Sequence, residues 1–170
     1  DDQSHSSIAS VSGMESRTII ASGFSKTYAW TGGRIGYALF PSRDEANVFK
    51  NLNINYFSCV TPYNQEGARV ALESHLSEKC IRNMVDNFQV RRDAILKKLN
   101  AISGISCTKP GGAFYLFANI SSVCRKLGLV DYCATLSSNE RAQTSPAGLF
   151  QMFALYYHNV AVLDRQSFGK

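Results

Sequence analysis

Ser22-Gly23-Phe24-Ser25-Lys26-Thr27-Tyr28-Ala29-Trp30-Thr31-Gly32-Gly33-Arg34-Ile35-Gly36-Tyr37 is the segment from which the rest of the chain can be read. It lies between two short runs rich in β-branched and aromatic residues, Arg17 to Ser22 and Ile35 to Phe40, bounded by glycine and Pro41. Those runs predict two buried strands of one sheet, with Lys26 on the loop between them. A lysine amine is a nucleophile toward an aldehyde, with which it condenses to a Schiff base. Arg34 follows eight positions later, and its planar guanidinium suits a phosphate ester through two parallel hydrogen bonds and charge attraction. The neighbouring glycines allow close backbone approach to a bulky anion. A single lysine or arginine says little, because 18 occur in the chain and most such residues are solvated.

The whole string, S-K-T-Y-A-x-T-G-x-R-I-G-Y, resembles the lysine loop of fold-type-I pyridoxal phosphate (PLP)-dependent aminotransferases of class I/II. The resemblance implies that Lys26 is the catalytic lysine that holds the cofactor aldehyde and that Arg34 binds the cofactor phosphate. Gly23 and Ser25 fall at the flanking cofactor-binding positions. Many members of that family carry a phosphate-binding serine where this chain has Gly23, with Ser22 and Ser25 on either side. Trp30 stands where methionine is common, and packing of the loop is the plain reading of it. Tyr28 and Tyr37 read as packing or hydrogen-bonding residues rather than acid-base groups.

The likeness extends outward. Ser7 to Met14 with Arg17 to Ile20 is similar to the family's stretch upstream of the lysine. Lys109-Pro110-Gly111-Gly112-Ala113-Phe114-Tyr115-Leu116-Phe117 resembles a strand opening the small domain, and Asn159 to Lys170 its later loop. The implied fold class is α/β: the C-terminal part of the PLP-binding large domain over residues 1–90, then most of the small α/β sandwich domain over 91–170, incomplete. The family's upstream glycine-containing phosphate turn, ring-stacking aromatic, asparagine and aspartate-tyrosine pair have no match here, nor does the arginine that clamps the substrate's α-carboxylate. The chain therefore reads as an interior fragment of a larger enzyme that does not transaminate alone.

Periodicity supplies the scaffold. Asp44 to Asn53 predicts a short helix with Asp44 near its start, and Pro62 to His75 a second. Over Ser77 to Ile102 the residues Ile81, Val85, Phe88, Ile95, Leu99 and Ile102 form an apolar stripe opposite the charges, which predicts a long core-packed helix. The resemblance implies that this helix bridges the two domains, with the boundary near Val90. Ile105 to Thr108 and Ala113 to Ala118 read as strands about the Pro110-Gly111-Gly112 turn, and Ser121 to Leu127 as a short helix. Ser137 to Thr144 is polar and reads as a loop. Ser145-Pro146 predicts a capped helix through Tyr157 that Asn159 ends, and Val160 to Leu163 a last strand.

With 45% apolar residues, the chain is long enough to bury a real core and too apolar for a disordered segment. Its net charge of +5 is scattered. The densest cluster, Arg91-Arg92 with Lys97-Lys98, fits the wet face of a helix, and no nucleic-acid motif accompanies it. The five cysteines show no paired spacing, which argues against a metal site or disulfide frame and for thiols in a reducing, cytoplasmic setting. His5, His75 and His158 form no ligand spacing. Asn119-Ile120-Ser121 matches a glycosylation sequon without a secretory signal, and no apolar run approaches membrane-spanning length.

The expected function is amino-group transfer from an amino acid to a 2-keto acid, in the aspartate- or alanine-type branch. Burial of Lys26 near Arg34 would favour the neutral amine that acts as base. Two alternatives share the sequence: a PLP-dependent lyase or synthase of the same fold, and a non-catalytic module of that fold. The resemblance also implies a homodimer, with Tyr56 to Gln65 reaching the neighbouring subunit.

Overall fold

The structure, a computed structural model, describes residues 5–169. It divides into two units between Asn87 and Phe88, a point inside a continuous helix.

The first unit opens with 3-10 turns at Ile8–Ser10 and Glu15–Arg17. Strands β1 (Ile20–Gly23) and β2 (Gly36–Leu39) then pair antiparallel, from Ile20 opposite Leu39 to Gly23 opposite Gly36. The predicted first strand thus starts three residues late, because Glu15–Arg17 is drawn into a turn that the Thr18 hydroxyl ties to the Met14 carbonyl at 2.7 Å. Helix α1 (Phe24–Thr27) follows β1 directly. Helix α2 (Arg43–Phe57) is longer than predicted, and Ser42 rather than Asp44 caps it. Extended at φ −137°, ψ 159°, Ser42 turns its hydroxyl oxygen to accept from the Glu45 N–H, leaving Asp44 as a first-turn charge. Helix α3 (Pro62–Glu73) places Pro62 in the first turn, where its missing N–H costs nothing.

Helix α4 (Ser77–Asn100) carries the apolar stripe, but no residue of it is buried: Val85, Phe88 and Ile95 are each nearly half exposed. The expected core packing of this face is therefore not seen within the chain. Arg92 departs from the expected wet face. Its side chain is only 13% exposed, donating to Asp93 at 2.9 Å and to the Pro110 carbonyl at 3.3 Å. At the end of α4, the Asn100 amide mimics a strand partner, donating to the Cys107 carbonyl and accepting from its N–H.

In the second unit β3 (Ser106–Cys107) pairs antiparallel with β4 (Ala118–Asn119). Of the strand predicted over Ala113 to Ala118 only the last residue pairs, and Ala113 at its start sits at φ 61°, outside the extended region. Helices α5 (Ser121–Lys126), α6 (Leu129–Thr135), α7 (Ser138–Gln143) and α8 (Pro146–His158) follow. Helix α7 replaces the predicted loop. Its signal is a capping box: Ser137 accepts from the Glu140 N–H while Glu140 accepts from the Ser137 N–H. Ser145 caps α8 as predicted, and Asn159 closes it in the left-handed conformation at φ 55°. Val160 to Leu163 pairs with no strand among the described residues.

Full burial is sparse. Among the described residues it reaches Phe24, Gly33, Ala68, Cys107, Cys124, Cys133 and Ala154, and Phe24 is the one large side chain in that set. The sizeable core predicted from composition is thus not closed by this chain itself. No described helix is long and apolar enough to cross a membrane.

Candidate functional site

The segment Phe24 to Ile35 leaves β1 and returns to β2, and backbone hydrogen bonds fold it onto itself. The Phe24 N–H donates to the Ile35 carbonyl at 3.3 Å, Trp30 N–H to the Phe24 carbonyl at 3.2 Å, and Ala29 N–H to the Lys26 carbonyl at 3.0 Å. Phe24 anchors it. At 2% exposure it stacks on Tyr28 (centroids 5.0 Å apart), meets Tyr37 at 5.8 Å and takes the edge of Trp30 at 6.3 Å. Tyr28 and Tyr37 are thereby packing residues of this cluster.

Gly23 is extended at the end of β1, opposite Gly36, and caps α1 with backbone alone. Ser25 is half-buried and Lys26 exposed on α1. Lys26 thus lacks, within this chain, the burial expected of it. Arg34 is also exposed, at φ 48°, ψ 47°, a left-handed conformation uncommon for a residue with a side chain. Its Nη1 donates to the Thr31 carbonyl at 3.1 Å, turning the guanidinium back over its own loop.

The buried glycine of this loop, Gly33, makes room for a ring. A Cβ on Gly33 would lie 2.5 Å from the Trp30 indole, and a Cβ on Gly67 of α3 would lie 2.7 Å from the ring's far edge. Asn64, one turn before Gly67, donates its amide to the Gly33 carbonyl at 2.8 Å. Sequence reasoning missed both α3 residues. Pro62-Tyr63-Asn64-Gln65-Glu66-Gly67 reads as an ordinary helix start, and nothing local marks a contact 31 positions away.

A cavity of about 1200 Å³ in this unit is open and lined by Phe24, Tyr37, Phe40, Phe49, Leu52 and Leu72 among others, but by neither Lys26 nor Arg34. Arg69 stands on its wall, paired with Glu66 and Glu73, and the Arg69 guanidinium holds the Glu66 carboxyl below its ordinary range. No cluster of three histidine, cysteine or acidic side chains converges among the described residues. His5 and His75 are exposed, and His158 ends α8 against the edge of Phe153.

The family profile described as aminotransferase class I and II matches residues 2–170. The chain belongs to this family. An aspartate aminotransferase of Pyrococcus abyssi is 40% identical over 170 residues, covering 100% of this chain and 38% of that protein. The crystal structure of an aromatic aminotransferase from Pyrococcus horikoshii superposes with a TM-score of 0.76 at 34% identity, over 100% of this chain and 40% of that one. The crystal structure of the aspartate aminotransferase from Rhizobium meliloti gives 0.72 at 31% identity, over 93% and 36%. The chain thus spans about two fifths of the length of these relatives, and its α/β elements are those of part of the PLP-dependent transferase fold.

Proposed function

We propose that this chain supplies the lysine loop of a PLP-dependent amino-acid aminotransferase of the aspartate- or alanine-type branch. The observation that carries the reading is that Lys26 and Arg34, an amine and a guanidinium, stand on one loop whose two ends are hydrogen-bonded together in a member of this family. The donor set fits the cofactor. A primary amine can take the aldehyde, and a forked cation can take the phosphate ester.

When bound, the pyridoxal ring supplies the electron sink that lets an amino acid's α-proton leave. Lys26 then has two tasks: to hold the cofactor covalently through Nζ, and, once displaced by substrate, to carry the α-proton on that same nitrogen. Arg34 neutralises the phosphate, oriented by its bond to the Thr31 carbonyl. Ser25 adds a hydroxyl beside the lysine, and Gly23 a backbone without side-chain bulk. Lys26 is exposed in this chain, so exclusion of water from the amine falls to other polypeptide. Amino-acid and 2-keto-acid substrates follow from this reading, as does a homodimer in which exposed Tyr56, Phe57 and Tyr63 meet the neighbouring subunit. A reducing cytoplasmic setting suits the five free thiols.

The test is a PLP titration of the purified chain, followed by borohydride reduction and peptide mass mapping. The cofactor is expected on Lys26, with Lys26→Ala abolishing the attachment and Arg34→Gln weakening binding by about tenfold or more. Absence of attachment, or attachment to another lysine, overturns the proposal.

A further inference from the structure

We infer that Asn64 and Gly67 of α3 are positioning residues that set the conformation of the peptide leading into Arg34. The consequence for the cofactor rests on the proposed function; the clamp itself does not.

One peptide unit links Gly33 to Arg34, and both of its polar ends are held. Its carbonyl accepts from the Asn64 amide at 2.8 Å, and its N–H donates to the Thr31 carbonyl at 3.4 Å. This unit is where Arg34 enters its left-handed conformation, a state a non-glycine residue keeps only when its surroundings impose it. The second contact is steric. The Trp30 indole lies against Gly33 on the loop and Gly67 on the helix, closely enough that a Cβ at either glycine would collide with it. Asn64 and Gly67 are three apart on α3 and so share a face. One helix face thus grips the loop twice, through a hydrogen bond and through a ring. Losing the Asn64 donor would free the Gly33–Arg34 peptide to rotate and carry the guanidinium away from its place.

Trp30 is the chain's one tryptophan, so its fluorescence reports this clamp without any cofactor present. Asn64→Asp keeps the shape but sets a carboxylate against the Gly33 carbonyl. It is expected to raise acrylamide quenching of Trp30 in the cofactor-free chain and to weaken PLP binding by about tenfold. Asn55→Asp is the control: Asn55 bonds within α2, donating to Asn51, and its replacement leaves both readings at parental values. Should Asn64→Asp not fold, Gly67→Ala, which favours the helix but pushes on the indole, must shift Trp30 emission. Parental quenching and parental PLP affinity in Asn64→Asp, equal changes in Asn55→Asp, or unshifted emission in Gly67→Ala overturns the inference. A parent chain that binds no PLP sinks the cofactor reading instead, and the quenching arm still decides the clamp.

Discussion

Phe24 holds the candidate loop more than either charged residue does. Among the described residues its ring is the one large side chain that is fully buried, and it touches Tyr28, Trp30 and Tyr37 at once. Phe24→Ala removes that ring from a close-packed cluster and should cost about 3–5 kcal/mol of unfolding free energy, read by urea titration followed by circular dichroism. A loss below about 1 kcal/mol would mean the cluster is loosely packed in solution. That Lys26 and Arg34 share one segment between two paired strands was legible in the sequence, because both lie in a single contiguous string that resembles the family's lysine loop. Asn64 and Gly67 were not, since their meaning appears only when α3 is set against the loop. The exposure of Lys26 was also beyond reach, because burial is decided by what packs above a residue rather than by its neighbours in the chain.

Helix termini carry the next scale. Ser145 satisfies the Gly148 N–H at 2.9 Å, so Ser145→Ala should destabilise the second unit by about 1 kcal/mol, seen as a lowered thermal midpoint. At α7 the Ser137 hydroxyl and N–H hold the Glu140 carboxyl below its ordinary value of 4.5. Because the folded-state value is depressed, this contribution is complete at pH 7 and fades as pH falls below 4.5 and through the lower folded value. Thermal midpoints measured between pH 7 and pH 3 should therefore decline less steeply in Glu140→Gln than in the parent chain; identical slopes would remove the box as their source. The elements that sequence patterning revealed were those with apolar stripes or Ser-Pro starts, as in α4 and α8. Helix α7 escaped because it has no apolar face, although its Ser137 to Glu140 spacing was in plain view. Over Ala113 to Ala118 the residues favour a strand, yet Ala113 at its start is left-handed and only Ala118 pairs.

At the scale of the molecule, apolar surface left open is the dominant fact. Tyr56, Phe57, Tyr63, Val90, Phe117, Tyr156 and Tyr157 are each at least two-thirds exposed, and the large cavity of the first unit has an apolar lining. Patches of this kind mark surfaces that meet other polypeptide. The chain alone should bind the dye ANS at neutral pH and associate as its concentration rises, checked by fluorescence and by sedimentation; a monomer that ignores the dye would show that these surfaces close in solution.

The sulfur atoms are distributed unevenly along the chain. Cys59 and Cys80 are exposed in the first unit, whereas Cys107, Cys124 and Cys133 are buried in the second, and burial pushes the Cys124 thiol up, away from its reactive thiolate. Iodoacetamide should therefore add two carbamidomethyl groups quickly and three slowly. The lag between those mass increments is a clock for the opening of the second unit, built into the polypeptide and readable without any engineered label.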